Sequence, residues 1–494
     1  MSEPIAGAKI TLPTAMNAPR HLAKWFLVLP VFCLLIGFGT MVSKAAENGL
    51  SLEERVTRIE ALQQPGAAPV NTGDNAWVLA SSALVLMMTA PGLILFYGGL
   101  VRSKNVLATM MHSLILMALV SALWMVFGYS MAFAPGNGWS AAFVGNPLTY
   151  FMLHGVGGAP NPDYAGTVPQ QSFMLFQMMF AIITPALISG AVAERIKFKA
   201  YVLFVLLWVT VVYFPLCHMV WGKGGYFNWA LGGRVPVLDF AGGTVVHISS
   251  GVSALVCAFV LGKRTGYPAE PMLPHSVVLS LIGTGLLWVG WFGFNAGSAL
   301  NAGSLATSAF AATHFSAAAA ALSWAATEWF HKGRPSVLGA ASGMVAGLAT
   351  NTPASGFVTV PAAFGIGLVA GVVCYLAVTK LKAKFNYDDS LDVFGVHGVG
   401  STTGMLMLGF LANATVNPAI STTFQANGVT VSLAGGNSQF VNQAMAVIFT
   451  AVFAGVASFI LLKIVNAVVG LRVHIEDEDA GLDLTQHGER AYTE

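Results

Sequence analysis

From residue 76 to residue 467 the chain is a succession of long apolar runs broken by short polar loops. Strands of a membrane barrel would alternate apolar and polar positions over about ten residues. These runs do not alternate, and most come close to the ~20 residues that a helix needs to cross the hydrocarbon. Their boundaries predict eleven helical spans, near residues 76–99, 105–133, 172–193, 200–218, 241–261, 275–298, 304–330, 336–350, 360–380, 391–412 and 441–467, the eighth being short. Backbone N–H and C=O groups find no water in lipid, and a helical bundle pairs them internally. The pattern therefore predicts an all-α integral membrane protein embedded in a lipid bilayer.

Composition agrees. Hydrophobic residues make up 55% of the 494 and charged residues only 9%, against about 25% charged in a soluble domain. The net charge of +2 offers no basic excess for nucleic acid to read. Cys33, Cys217, Cys257 and Cys374 lie in apolar runs with no CxxC and no Cys/His cluster. They read as buried thiols, and neither a disulfide framework nor a metal site is suggested.

The few charges orient the bundle. Arg102 and Lys104 follow the first run, Arg195, Lys197 and Lys199 the third, and Lys263 and Arg264 the fifth. Lys332 and Arg334 follow the seventh, and Lys380, Lys382 and Lys384 the ninth, whereas 134–171 and 413–440 contain no Lys or Arg. Lys223 and Arg234 are the exceptions to this alternation. Positive loops face the cytoplasm, so the first span starts outside and the acidic C-terminal tail lies inside. Ahead of the bundle, Arg20 and Lys24 precede an apolar run to about residue 41, and Ser43, Ala45 and Ala46 follow it. That order predicts a signal peptide over 1–46, with a retained anchor as the alternative. Residues 47–75 read as a helix with an apolar stripe at Leu52, Val56, Ile59 and Leu62, then a linker; 76–467 as the membrane domain; and 468–494 as the tail.

Two segments echo each other. Asp239-Phe-Ala-Gly-Gly-Thr-Val-Val-His247 opens the fifth run, and Asp392-Val-Phe-Gly-Val-His397 opens the tenth. Five spans per half is an odd number, so the halves would enter the membrane in opposite senses, a 5+5 inverted repeat with the substrate path at their interface. At 1.5 Å per residue His247 lies about 12 Å along its helix from Asp239, and His397 about 7.5 Å from Asp392. Ionisable groups at such depth line a pathway or pair with one another. Asp239 and Asp392 read first as helix caps. A fixed carboxylate near a pore mouth would also attract a cation.

In these motifs the chain resembles the Amt/Rh ammonium transporter family in its Amt branch. The likeness runs from about residue 76 to the C-terminus, through Leu95-Phe-Tyr-Gly-Gly-Leu-Val-Arg102, Gly190-Ala-Val-Ala-Glu194-Arg195, Gly290-Trp291-Phe-Gly-Phe294-Asn-Ala-Gly-Ser298 and the two histidine segments, to Gly481-Leu-Asp-Leu-Thr-Gln-His487. It implies that His247 and His397 are twin pore histidines. It also implies that Phe180 and Phe294 form an aromatic gate with Phe176 beside them, and that Trp221, Phe294 and Ser298 receive ammonium, with Asp239 behind them. A homotrimer in a bacterial inner membrane is implied too, with its N-terminus outside, and a PII-type signalling protein as a partner of the tail. No cofactor and no enzymatic activity are implied. Methylammonium is expected as an accepted analogue.

The residue types suit that cargo. Aromatic faces attract a small cation, and a hydroxyl accepts one of its N–H bonds. A bare ion pays heavily to enter a narrow apolar pore, which would exclude potassium. Ammonium can give up a proton and continue as neutral ammonia, and paired neutral imidazoles offer both a donor and an acceptor for that step. Three alternatives remain at this point. An ammonium sensor would share the fold, and an Rh-like gas channel would share the histidines. A metalloenzyme would need more ligands than two histidines supply.

Overall fold

The computed structural model of the chain describes residues 70–421, 424–426, 429–431 and 433–492. The signal peptide, the helix with the Leu52–Leu62 stripe and Cys33 fall on residues 1–69 and lie outside the described residues. Among the described residues, ten helices are long and apolar enough to cross a membrane. They are α1 Thr72–Leu100, α2 Ser103–Phe133, α3 Gln170–Val192, α4 Phe198–Trp221, α5 Gly243–Leu261, α6 Val277–Gly297, α7 Ser304–Lys332, α9 Val360–Phe385, α10 Phe394–Leu411 and α11 Asn437–Val469.

The expected eighth span is α8, Val337–Asn351, of fifteen residues. At 1.5 Å per residue it reaches about 22 Å, short of the ~30 Å hydrocarbon. The chain continues from Thr352 to Val358 as turns that are themselves buried among the helices. Irregular backbone at that position is tolerated because protein, not lipid, surrounds it. Short antiparallel hairpins, β1 Pro160–Asn161 with β2 Ala165–Pro169 and β3 Phe424–Ala426 with β4 Val429–Val431, decorate the loops before α3 and α11.

Burial sorts the helices. In its most apolar stretch α3 is 89% buried and α5 72%, whereas α1, α2, α6, α7, α9 and α11 are each 44% buried. The outer helices therefore present about half their apolar surface outward, and α3 and α5 form the middle of the bundle. Small residues let the inner helices touch: a Cβ added at Gly251 of α5 would lie 2.4 Å from the backbone N of Gly398 in α10. Helix α1 starts earlier than expected because the Asn71 side chain accepts from the N–H groups of Gly73 and Asp74 at 2.9 and 3.1 Å, satisfying two otherwise free donors.

The tail is docked rather than free in solvent. Lys197 N–H donates to the Leu471 carbonyl at 2.9 Å and Val473 N–H to the Arg195 carbonyl at 3.1 Å. The short helix α12, Ile475–Ala480, carries Glu478, which accepts from Arg472 at 2.7 Å and from Thr265 N–H at 2.6 Å. Asp483 accepts from Ala108 N–H at 2.8 Å, and Leu482 N–H donates to Asn105 at 2.8 Å. The tail thus ties together the first turns of α2 and the loops after α3 and α5, all at one end of the bundle.

Candidate functional site

Two helices bring the histidines together. α5 opens with a π-helical turn, Gly243–Ile248, and α10 with another, Phe394–Gly398. Each turn carries the histidine of its segment, and such turns recur at functional sites. His247 Nδ1 and His397 Nδ1 stand 3.2 Å apart, and the rings stack at 5.1 Å and 15°. The crossing of Gly251 over Gly398 sits one turn beyond His247 and next to His397, so the absence of side chains there sets the separation of the rings.

Capping acids start both helices, in one case a different acid from the expected one. Asp239 accepts from the N–H groups of Gly242, Gly243 and Thr244 at 2.8, 2.6 and 2.7 Å and from the Thr244 hydroxyl. Burial pushes its carboxyl above the ordinary value, with the Thr244 hydroxyl and these amides opposing. At α10 the cap is Asp389, whose Oδ2 accepts from Phe394 N–H at 2.7 Å. Burial lifts Asp389 to about 6, against the pull of Lys382. Asp392 is the residue expected in that role, but it has a left-handed backbone with φ 60° and turns its carboxylate to Lys382 Nζ at 2.7 Å. The sequence carried the clue: Asp389 precedes His397 by the same eight residues that separate Asp239 from His247.

Cavities lie on either side of the pair. One, of about 200 Å³, is lined by Trp221, Phe180, Asp239, Ser298, Gln177 and Asp163 among others. The other, of about 160 Å³, is lined by His397, Asp392, Ser390, Tyr97 and Trp324 among others. Between them a constriction of only about 10 Å³ is lined by Phe294, Trp291, His247 and His397 together with Met, Leu, Ile and Val side chains. Phe180 and Phe294 stand at the head of the constriction, rings 4.2 Å apart. Trp221 meets Phe180 edge-on at 6.0 Å and donates its indole N–H to the Asp239 backbone carbonyl at 2.9 Å. Ser298 donates its hydroxyl to the Phe294 carbonyl at 2.8 Å, leaving its oxygen lone pairs as acceptors. Phe176 lines none of these three cavities; it packs edge-on behind Phe180 at 5.0 Å and braces it.

Trp291 is a wall residue that the sequence did not assign. Its ring stacks on His247 at 5.5 Å and 21°, and its N–H donates to Thr352 at 2.9 Å. The signal was its three-residue spacing from Phe294, which puts both rings on one face of α6. His112, His218 and His314 join neither histidine. His218, for instance, lies within 3.1 and 2.9 Å of the Ala132 and Ala141 carbonyls. Among the described residues no three His, Cys, Asp or Glu side chains converge as a metal site.

Two vestibules thus flank an apolar, histidine-lined constriction, and comparison with known proteins names the family. The Ammonium Transporter Family profile matches residues 76–492. The chain belongs to the ammonium transporter family. It is 47% identical over 420 residues to the ammonium transporter of Bacillus subtilis, covering 85% of this chain and 98% of that one. It is 44% identical over 424 residues to ammonium transporter Amt1 of Archaeoglobus fulgidus, covering 86% and 100%. The crystal structure of Saccharomyces cerevisiae Mep2 superposes with a TM-score of 0.76 at 34% identity, covering 86% and 92%. A sensor Amt protein superposes with a TM-score of 0.74 at 26% identity, covering 84% and 98%. This family member is a membrane-embedded ammonium transporter, not an enzyme, and its substrate is ammonium.

Proposed function

We propose that the chain moves ammonium by receiving the cation in the Trp221 vestibule, removing its proton at the histidine pair and passing ammonia through the constriction. The observation that carries this reading is the Nδ1–Nδ1 contact of 3.2 Å inside an apolar passage. Each neutral imidazole has one donor and one acceptor nitrogen. If one Nδ1 donates to the other, its own Nε2 is bare, and the accepting ring carries its proton on Nε2. The pair therefore always presents one bare Nε2 and one Nε2–H. His247 Nε2 is buried without a protein partner. Such a pair accepts a proton at one ring and donates at the other, and two imidazoliums would set donor against donor. Potassium has no proton to give up and meets only carbon, the Met88 thioether and neutral nitrogen in the constriction.

Upstream, the π-faces of Trp221 and Phe294 and the Ser298 oxygen receive the cation, and Phe180 with Phe294 separates it from the constriction ahead. Asp239 acts through the Trp221-side wall that it caps. The Trp221 vestibule lies opposite the tail, and the positive loops on the tail side support a reading with that vestibule outside and the tail in the cytoplasm. α8 with its buried continuation serves as the eleventh span, and α5 and α10 are corresponding helices of two inverted halves. A homotrimer in a bacterial inner membrane fits the family, and the tail would be the docking place of a PII-type partner.

The test is methylammonium uptake by a strain lacking its own ammonium transport. His247→Ala and His397→Ala, produced at normal membrane levels, are expected to lose most uptake or to admit potassium. Uptake unchanged and still selective in both variants would refute the histidine mechanism.

A further inference from the structure

The Trp221 vestibule has a charged rim that conduction through the histidines does not use. Asp163, in the turn between β1 and β2, lines this vestibule along with Trp221 and Ser298. Its carboxylate is gripped by Lys223, whose Nζ stands 2.8 Å from both oxygens. Both ends of the contact are fixed by backbone. The Asp163 N–H donates to the Asn161 side chain at 3.0 Å, and the Lys223 N–H donates to the Tyr164 hydroxyl at 3.0 Å. That hydroxyl donates onward to the Phe133 carbonyl at 2.7 Å. The charged groups themselves remain wet, with side chains 50% exposed for Lys223 and 35% for Asp163. An exposed pair of this kind contributes little net energy and opens readily.

A lysine head group is a primary alkylammonium, the same class of cation as methylammonium, with N–H donors at the same N···O distance as ammonium itself. A carboxylate shaped to hold one holds the others. The other carboxylate lining the vestibule, Asp239, is buried and engaged by three amides and the Thr244 hydroxyl. We propose that Asp163 is the carboxylate at which an ammonium-type cation first lodges in the Trp221 vestibule, and that the Lys223 ammonium is a tethered competitor for it. The pair sets how readily dilute substrate is captured, without touching the histidines. This rests on the Trp221 vestibule being the receiving mouth.

The experiment is the half-saturation concentration for labelled methylammonium in cells at low ionic strength, with membrane levels matched. Lys223→Gln frees the carboxylate and is expected to lower half-saturation by roughly two- to fivefold. Asp163→Asn is expected to raise it by a similar factor, and Lys223→Gln added to Asp163→Asn to change nothing further. Lys223→Arg, whose planar fork grips a carboxylate in two places, is expected to raise half-saturation or leave it at the wild-type value. Added salt should shrink every difference. An unchanged half-saturation for Lys223→Gln overturns the proposal, as does an equal drop with and without Asp163→Asn. Trp221→Leu separates the two readings. If it raises half-saturation while Lys223→Gln does nothing, only the competitor idea falls; if it too has no effect, the vestibule assignment itself falls.

Discussion

Single residues at the two helix starts differ in what they hold. Asp389 is fully buried, caps α10 through the Phe394 amide and stands beside Lys382. Asp392 is 40% exposed at its side chain and makes an ion pair with Lys382. Removing a buried cap destabilises by about 1–2 kcal/mol, whereas a half-exposed ion pair is worth about 0–1 kcal/mol. Asp389→Ala is therefore expected to lower the unfolding midpoint in detergent clearly more than Asp392→Ala. The reverse order would show that Asp392 governs the start of the helix. The acid nearest in sequence to the Val-Phe-Gly-Val-His397 string looked like the counterpart of Asp239, yet backbone geometry turned it toward Lys382. The eight-residue spacing was legible; which carboxylate reaches the free amide depended on the φ of 60° at Asp392, which no side-chain pattern announces.

Among elements, the crossing of α5 over α10 decides whether two histidines become a pair. A Cβ at Gly251 would meet the Gly398 backbone N at 2.4 Å and Cα at 2.6 Å, and neither atom can swing aside as a side-chain end could. The helices must separate. Overpacking of this kind costs about 1–3 kcal/mol, and a shift of about 1 Å at reacting groups can lower a rate by about a hundredfold. Gly251→Ala is expected to fold with a modestly lower midpoint and to lose methylammonium uptake by roughly tenfold or more. Retained uptake would mean that the proton step tolerates a wider ring separation. The long outer spans were legible because runs such as 105–133 face lipid and neighbours alike and must be apolar all round. α8 was harder to read, since Thr352 to Val358 is buried without being helical, and a hydropathy pattern cannot distinguish the two. Phe180, Phe294 and Phe176 are implied together by the family resemblance, and sequence alone does not separate a lining ring from the ring that braces it.

At the scale of the whole molecule, the end of the bundle away from Trp221 is joined by buried charge. Glu194, between α3 and α4, has a fully buried carboxylate that accepts from Arg102 N–H at 2.7 Å and Nε at 2.8 Å, with Arg264 at 3.3 Å. Arg264 also pairs with Asp388 at 2.8 Å, and Arg195 donates to Ser390 at 2.6 Å and to the Gly262 carbonyl at 2.9 Å. One cluster thus binds the loops after α1, α3, α5 and α9, and the tail lies against the end of α5 and the loop after it, through Arg472 on the Leu261 carbonyl and Glu478 on the Thr265 amide. Burial works to raise the Glu194 carboxyl, but Arg264 and Arg102 overcome it and hold it below the ordinary range. Asp388 is likewise held low, with burial opposed by Arg264 and then Arg195. A carboxylate whose folded-state value lies below its unfolded value of about 4 stabilises the fold fully above that value and loses its contribution as pH falls through the folded one. The contribution of Glu194 and Asp388 to the unfolding midpoint in detergent is therefore expected to hold from neutrality to about pH 5 and to be lost below about pH 4, whereas Asp389, lifted to about 6, works in the opposite sense and favours the fold as pH falls from neutrality. Breaking a buried pair by removing one partner costs about 3–5 kcal/mol, so Glu194→Gln should be destabilised at neutral pH, and its curve should approach that of the wild type in acid as the wild-type carboxylates protonate. A constant offset between the two curves at every pH would place the stabilising role of Glu194 in its shape rather than its charge.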